Sequence, residues 1–159
     1  MVVLLHGFDA PGDDLVALQP MLNVPRGTRF VFPEGLLSFQ TGYGESRAWR
    51  MIDLERLSRD QAAGRSRDLS KEVPKGLAEA RARIIDLLAE TERRLGVDPG
   101  DMVLGGFSQG AMLSLDVALR TDRPPAGLVL LSGTLVAKQE WVPLMPKRRG
   151  LWVLQSHGR

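Results

Sequence analysis

The chain contains five short, mostly apolar runs that are separated by longer polar or mixed segments. Short apolar runs of this kind are typical of parallel strands that are covered on both faces. We therefore predict five strands, at Met1–Leu5, Arg29–Phe32, Met102–Leu104, Gly127–Leu131 and Leu151–Leu154.

Several of the segments between these runs have apolar residues at helical spacing. From Leu77 to Leu95 the apolar residues recur at helical spacing, and Gly96 offers a C-cap. The segment Ala111–Leu119 has the same pattern. A shorter helix is predicted after the first strand, where Asp13–Asp14 suit an N-cap and a first turn. Its apolar stripe, which Pro20 shortens or kinks, is Leu15, Leu18 and Leu22.

Strands that alternate with helices imply a parallel sheet between two layers of helices, a three-layer α/β sandwich with right-handed crossovers. The Gly- and Ser-rich stretch Glu34–Trp49 is predicted to be a loop, followed by a helical turn or two at Met51–Leu57. Long loops in compact α/β domains usually serve function, so we expect part of a substrate wall here.

Composition fits one domain over residues 1–159 and excludes several classes of site. The 159 residues are 43% apolar and 25% charged, which suits a single core. The longest apolar run, Met1–Leu5, is far below the roughly 20 residues that cross a bilayer. The absence of cysteine excludes disulfides, thiol nucleophiles and thiolate metal sites, and two histidines do not favour a His-rich metal site. With no signal peptide visible, a reducing compartment such as the cytoplasm is the default expectation.

The charge does not indicate a nucleic-acid surface. The formal net charge is only +2, and the isoelectric point of about 9.4 follows because few groups titrate between pH 7 and 9. The arginines are scattered among acidic and apolar residues, which predicts a solvated face.

The segment Gly106-Phe107-Ser108-Gln109-Gly110 matches the pattern G-x-S-x-G between a predicted strand and a predicted helix. This context is that of a nucleophile elbow, where a tight turn lifts a serine above the sheet. The turn leaves no room for side chains two residues before and after the serine, which explains Gly106 and Gly110. The alternative is a Gly-rich turn that carries a solvated serine.

A serine nucleophile also needs an oxyanion hole, which this architecture builds from two backbone N–H groups. One belongs to the residue after the nucleophile, here Gln109, and the other to the loop after an adjacent strand. His6-Gly7 ends the first strand, and a glycine there allows the loop to turn inward. We therefore expect the Phe8 amide to be the second donor.

Several segments, in order along the chain, resemble the phospholipase/carboxylesterase family of α/β-hydrolases, which includes the acyl-protein thioesterases. The G-F-S-Q-G-A run is the most specific of them. The segments are Leu5-His6-Gly7, Arg47-Ala48-Trp49, Gly105 to Met112, Leu131-Ser132-Gly133 and Gln155-Ser156-His157-Gly158.

This resemblance implies a serine carboxylesterase that hydrolyses short- to medium-chain acyl esters through an acyl-enzyme on Ser108, with no metal or organic cofactor. It implies a five-stranded parallel sheet in the spatial order second, first, third, fourth, fifth. Trp49 and the loop around Leu36, Leu37 and Phe39 are implied to flank the acyl pocket. Arg50 and Met51 depart from the aromatic and small residues expected there.

A second departure concerns the acid and base of the triad. In the family an aspartate follows the S-H-G segment within a few residues and a histidine follows one strand later, whereas Arg159 precedes both positions. We therefore expect the domain to be truncated before the triad Asp and His. The last strand, Leu151–Leu154, is then an exposed edge, which predicts a homo-oligomer.

The two histidines of the chain differ in their suitability as a base. His6 is expected to be structural, packed under a loop. His157 follows the fifth strand, about 9 to 10 Å from the elbow at about 4.8 Å per strand. Since direct proton transfer needs about 3 Å, His157 requires loop movement or another subunit. The acids Asp9, Asp53 and Asp116 cannot be ranked from sequence.

Two other functions compete with the esterase. A non-catalytic or very weakly active truncated hydrolase-fold module, with an assembly or ligand-binding role, is favoured by the missing acid and base. A flavodoxin-like nucleotide binder shares the strand order, and Gly7 to Gly12 has the glycine spacing of a phosphate loop. Against it, Asp13-Asp14 stand where Lys and Ser/Thr belong, and two carboxylates repel phosphate.

Overall fold

The computed structural model describes residues 1–42, 44–64 and 68–158. Its strands form one parallel sheet of five strands and one antiparallel hairpin. The strands are β1 (Val2–Leu5), β2 (Phe30–Val31), β3 (Leu37–Thr41), β4 (Gly44–Ala48), β5 (Val103–Phe107), β6 (Gly127–Leu131) and β7 (Trp152–Ser156).

The central sheet has the order β2-β1-β5-β6-β7 with every neighbouring pair parallel. These five strands correspond to the five predicted apolar runs, and their spatial order agrees with the expectation. The strand numbers differ only because the hairpin adds β3 and β4 between the second and third strands of the sheet. The predicted α/β class is therefore confirmed.

The helices α1 (Leu54–Ala62), α2 (Leu77–Leu95), α3 (Gln109–Arg120) and α4 (Lys138–Trp141) accompany the sheet, together with short 3₁₀ segments. The predicted extent of α2 is confirmed, and Gly96 ends it in the left-handed conformation, at φ 62°, with its N–H donating to Glu92 O. Both α2 and α3 bury an apolar stripe because their sequences repeat with the period of the helix. No helix among the described residues is long and apolar enough to cross a membrane.

The prediction of an irregular loop at Glu34–Trp49 was wrong, because this stretch contains the β3–β4 hairpin. The strand LSFQT alternates apolar and polar residues over only four positions, and GESRA is polar apart from Gly44 and Ala48, so the sequence signal is short. A tertiary contact supports them instead: Arg47 N donates to Ala10 O (2.9 Å), and Asp9 N donates to Arg47 O (3.1 Å). The hairpin is thereby paired to the loop that follows β1.

The helix predicted around Leu15, Leu18 and Leu22 was also wrong, because residues Asp14–Met21 form a 3₁₀ helix. With three residues per turn, Leu15 and Leu18 lie on one line along this helix. Leu22 follows the last helical residue, with an extended backbone at ψ 127°. Leu15 is accordingly buried, whereas Leu22 is 42% exposed. Asp13 makes no side-chain cap.

The core lies between α2, α3 and the parallel strands. Its buried apolar members come from β1, β5, β6, α2, α3 and α4 and include Val3, Leu5, Ile84, Leu104, Leu113, Val117, Leu128 and Trp141. Within it, the buried Asp116 accepts hydrogen bonds from Arg81 Nη1 (2.8 Å), Arg120 Nε (3.0 Å) and Trp141 Nε1 (2.7 Å). This carboxylate therefore joins three helices in the core.

Candidate active site

Ser108 is the only residue between the end of β5 and the start of α3. Its backbone has φ 50° and ψ −111°, a conformation that L-residues rarely adopt and that costs of the order of 1 to 3 kcal/mol. Two hydrogen bonds hold the turn: Ser108 N donates to Leu131 O (2.8 Å), and Met112 N donates to Ser108 O (3.2 Å). The serine is thus fixed in a strained turn at the carboxyl end of the sheet.

The two glycines of the motif are required by close packing against β1. A Cβ on Gly110 would overlap the Leu5 carbonyl and would lie 2.6 Å from His6 O. A Cβ on Gly106 would overlap the Leu5 oxygen and would lie 2.7 Å from the Gly110 carbonyl carbon. Since these neighbours are backbone atoms, no side-chain movement could make room.

The loop after β1 runs beside the elbow because Leu5 pairs with Gly106 in the parallel ladder. Gly7 lies close to the turn, and a Cβ there would be 3.1 Å from Phe107 Cδ1. Gln109 is the first residue of α3, so its N–H has no acceptor within the helix. Within the described part of the chain, the Phe8 N–H likewise has no protein acceptor. Two free amides therefore flank the same turn, on adjacent strand ends.

The side chain of Gln109 has a role that the motif alone did not reveal. It is 2% exposed and contacts the backbone of the segment that follows the hairpin. Its Oε1 accepts from Trp49 N (2.8 Å) and from Arg50 N (3.4 Å), and its Nε2 donates to Arg50 O (2.9 Å). All three partners are backbone groups, so the departures from the family pattern at positions 50 and 51 leave these bonds intact.

His6 is held by backbone groups at both ring nitrogens. Its Nδ1 lies 2.7 Å from Gly7 O, and its Nε2 accepts from Gly35 N at 2.8 Å. A carbonyl can only accept and an amide N–H can only donate, so the proton of the neutral ring belongs on Nδ1. Burial lowers the pKa of His6, which favours this neutral form. The expectation that His6 is structural agrees with this geometry.

Trp49 is packed in the core and is only 2% exposed. Its indole Nε1 donates to His6 O (2.9 Å), and its ring centroid lies 5.2 Å from that of the His6 imidazole. Phe39 is half-buried and contacts Phe8, with their ring centroids 5.7 Å apart, and Leu36 is 38% exposed. Of the four residues expected beside the acyl pocket, Leu36, Leu37 and Phe39 therefore offer accessible apolar surface.

His157 lies in the position that the strand register dictates. Phe107, Leu131 and Ser156 form one row across β5, β6 and β7, so His157 follows the row two strands away from Ser108. Two strand spacings amount to about 9 to 10 Å. Among the described residues, no side chain is hydrogen-bonded to the Ser108 hydroxyl. The structure therefore separates Ser108 from the histidine that was considered as its base.

The acidic residues that the sequence left unranked occupy different places. Asp116 is fully buried between two arginines and an indole, as described above. Asp53 Oδ1 accepts from Arg56 N (2.9 Å) at the start of α1. Asp9 has a left-handed backbone, at φ 61°, in the loop that pairs with the hairpin. Over the described residues, no group of three or more His, Asp or Glu side chains is arranged to hold a metal ion.

The family model of the phospholipase/carboxylesterase family matches residues 1–159, the whole chain. The chain belongs to the phospholipase/carboxylesterase family. Among solved structures, esterase PE8 is similar, with a TM-score of 0.72 and 26% identity over 99% of this chain and 82% of that one. A member of this family therefore has the strained serine turn at its G-x-S-x-G motif.

Two further structures share the fold of this family member at lower identity. The carboxylesterase from Mesorhizobium loti has a TM-score of 0.66 and 18% identity over 97% of this chain and 77% of that one. SOBER1 from Arabidopsis thaliana has a TM-score of 0.64 and 17% identity over 98% of this chain and 86% of that one. At these identities the likeness concerns the fold.

Proposed function

We propose that the chain is a serine carboxylesterase that hydrolyses short- to medium-chain acyl esters through an acyl-enzyme on Ser108. The observation that carries the proposal is the strained turn at Ser108, flanked by the free N–H groups of Phe8 and Gln109. Strain of this kind persists only where the surrounding structure enforces it, and it is concentrated at functional sites. Family membership supports the same chemistry.

In the proposed reaction, Ser108 Oγ attacks the ester carbonyl carbon and a C–O bond forms. The carbonyl π electrons move to oxygen, and the Phe8 and Gln109 amides donate hydrogen bonds to this developing oxyanion. Its collapse breaks the bond to the alcohol oxygen, which leaves with the proton that Ser108 Oγ gave up. Water then attacks the acyl-enzyme in the same way and releases the carboxylic acid and Ser108.

The serine proton needs an acceptor, and we propose His157 for this role. It is exposed and follows β7 at the same edge of the sheet as Ser108. Because it lies two strands away, it reaches the hydroxyl when the segment after β7 moves or when a second copy supplies it. His6 is unsuited to this role, since both its ring nitrogens are engaged with Gly7 and Gly35.

The acyl chain is proposed to lie against the apolar surface beside Phe8. Phe39 contacts Phe8, whose own amide is a proposed oxyanion donor, so an acyl group on Ser108 has this aromatic pair nearby. Leu36 adds exposed apolar surface at the start of the same hairpin. Trp49 supports this wall from the core through its bond to His6.

Copies of the chain are proposed to associate through β7. Within the described part of the chain, β7 pairs with β6 alone, and Trp152, Val153 and Leu154 are 56%, 47% and 43% exposed. An apolar edge strand with free backbone groups is a template for pairing. Sedimentation equilibrium at several concentrations tests this, and a monomer throughout would contradict it.

A second candidate function is a non-catalytic or weakly active hydrolase-fold module with an assembly or ligand-binding role. The observation that favours it is the Ser108 hydroxyl, which no side chain of the described residues activates. Removing a triad member from serine hydrolases lowers the rate by several orders of magnitude. The two candidates differ in one measurable quantity, the dependence of ester hydrolysis on Ser108.

The deciding experiment compares hydrolysis of p-nitrophenyl butyrate by the wild type with that by Ser108→Ala and Ser132→Ala. Ser132 is a matched control because it follows the adjacent strand β6 and also has a positive φ, at 51°. We expect Ser108→Ala to reduce the rate at least about a thousandfold and Ser132→Ala to retain it. Equal rates for wild type and Ser108→Ala would contradict the esterase and favour the non-catalytic module.

A further inference from the structure

We propose that the Gln109 side chain is a positioning residue that couples the two amides of the oxyanion hole. The inference rests on the proposed function, since it assigns a task to a side chain through the reaction at Ser108. It concerns the amide group of Gln109, whereas the oxyanion contact itself is made by the backbone N–H of the same residue.

The coupling follows a continuous set of buried hydrogen bonds. From the elbow, Gln109 Oε1 accepts from Trp49 N (2.8 Å), and Gln109 Nε2 donates to Arg50 O (2.9 Å). From the same segment, Trp49 Nε1 donates to His6 O (2.9 Å). The His6 ring then holds Gly7 O at 2.7 Å, one residue before Phe8. One donor of the proposed oxyanion hole is thus linked to the other through Trp49 and His6.

The same set of bonds also anchors the wall of the site. His6 Nε2 accepts from Gly35 N (2.8 Å), two residues before the hairpin that carries Phe39. Gly35 lies so close to the end of β4 that a Cβ there would be 2.6 Å from the Ala48 carbonyl oxygen. Movement of the segment 49–50 away from Gln109 would therefore shift both the hairpin and the loop that carries the Phe8 amide.

Without its side-chain bonds, Gln109 would no longer fix the segment 49–50 relative to α3. The two amides could then separate, because they belong to different strand ends and no described hydrogen bond joins Gln109 directly to the loop after β1. An oxyanion hole acts through preorganised donors, so loosening it weakens the transition state more than the bound ester. The expected signature is a loss in kcat at nearly constant KM.

Two variants with nearly the size of glutamine test this directly. Gln109→Met removes all three hydrogen bonds and keeps the backbone N–H. We expect kcat to fall about tenfold to a hundredfold, less than the loss of a whole oxyanion donor, with KM within about threefold of the wild type. Gln139→Met, on the exposed surface of α4, is the control and should retain both constants.

Gln109→Glu gives a pH signature that a purely structural role would not produce. An ionised carboxylate faces the Arg50 carbonyl without a proton to donate, whereas a protonated carboxyl restores the donor and keeps the acceptor for Trp49 N. Burial raises the pKa of such a carboxyl. The ratio of variant to wild-type kcat should therefore rise as the pH is lowered, while the ratio for Gln109→Met stays constant.

The measurements separate this inference from the proposed function. A wild type without Ser108-dependent hydrolysis overturns both. Two outcomes overturn the positioning role alone when wild-type hydrolysis depends on Ser108. One is a folded Gln109→Met with the kcat of the wild type, and the other is a ratio of Gln109→Glu to wild-type kcat that does not change with pH. Far-ultraviolet circular dichroism and urea midpoints establish that each variant is folded under the assay conditions.

Discussion

Replacing Ser108 with glycine should stabilise the protein while it removes the proposed nucleophile. Ser108 has a left-handed φ of 50° in a one-residue link between β5 and α3. Alanine keeps the Cβ that clashes in this conformation, whereas glycine has none. The comparison of Ser108→Gly with Ser108→Ala therefore isolates the backbone strain from the loss of the hydroxyl.

The magnitude follows from two opposing terms. Relief of the strain contributes about 1 to 3 kcal/mol in favour of glycine. The greater freedom of glycine in the unfolded chain opposes this by about 0.4 to 1 kcal/mol. Ser108→Gly should thus exceed Ser108→Ala in unfolding free energy by about 1 to 2 kcal/mol. For a protein of this size, that corresponds to an increase of about 2 to 8 °C in Tm.

Equilibrium urea unfolding of both variants measures the difference, and an unchanged m-value would show that the unfolded states are comparable. The exposed Ser58 in the middle of α1 provides a control of opposite sign, because glycine is about 1 kcal/mol less favourable than alanine inside a helix. A Ser108→Gly variant that is less stable than Ser108→Ala would refute the reasoning, since the turn would then hold no strain that glycine relieves.

Two further predictions concern the groups around the elbow. Gly110→Ala should cost about 3 kcal/mol or more, because its Cβ would overlap the Leu5 carbonyl, whereas Gly42→Ala meets no atom within 4 Å and should change the urea midpoint little. Because burial lowers the pKa of His6, the unfolded chain binds a proton before the folded one as the pH falls below 6.5. The unfolding free energy should therefore decline below that pH. His6→Gln should reduce the slope of the unfolding free energy against pH, measured by urea titrations between pH 5 and 8, and equal slopes for the wild type and the variant would contradict this.

Local sequence patterns determined the central sheet and the elbow. The apolar runs that became β1 and β6 are continuous because strands covered on both faces need apolar side chains at successive positions. The glycines at 106 and 110 could be interpreted in advance because the G-x-S-x-G pattern marks a tight strand-to-helix turn, although most atoms that exclude a Cβ there belong to Leu5 and His6. The long helix α2 was also predicted correctly, since its apolar repeat and its C-cap at Gly96 are local properties of the sequence.

Other features depend on contacts between segments far apart in the chain. In the β3–β4 hairpin only Leu37 and Phe39 alternate with polar residues, and the pairing of Arg47 with Ala10 leaves no mark in the local sequence. The segment around Leu15 has α-helical spacing, but the 3₁₀ helix that formed there ends at Met21, so Leu22 lies outside it and is 42% exposed. In both places tertiary packing overrode a local pattern.

The sequence by itself determined which serine lies at the elbow, because the motif and its flanking strand and helix are contiguous. Only the tertiary structure decided what surrounds that serine. It buried the Gln109 side chain against Trp49 and Arg50, engaged both nitrogens of His6, and placed His157 two strands away from Ser108. These relations join residues separated by up to 60 positions, and only the packed chain sets such distances.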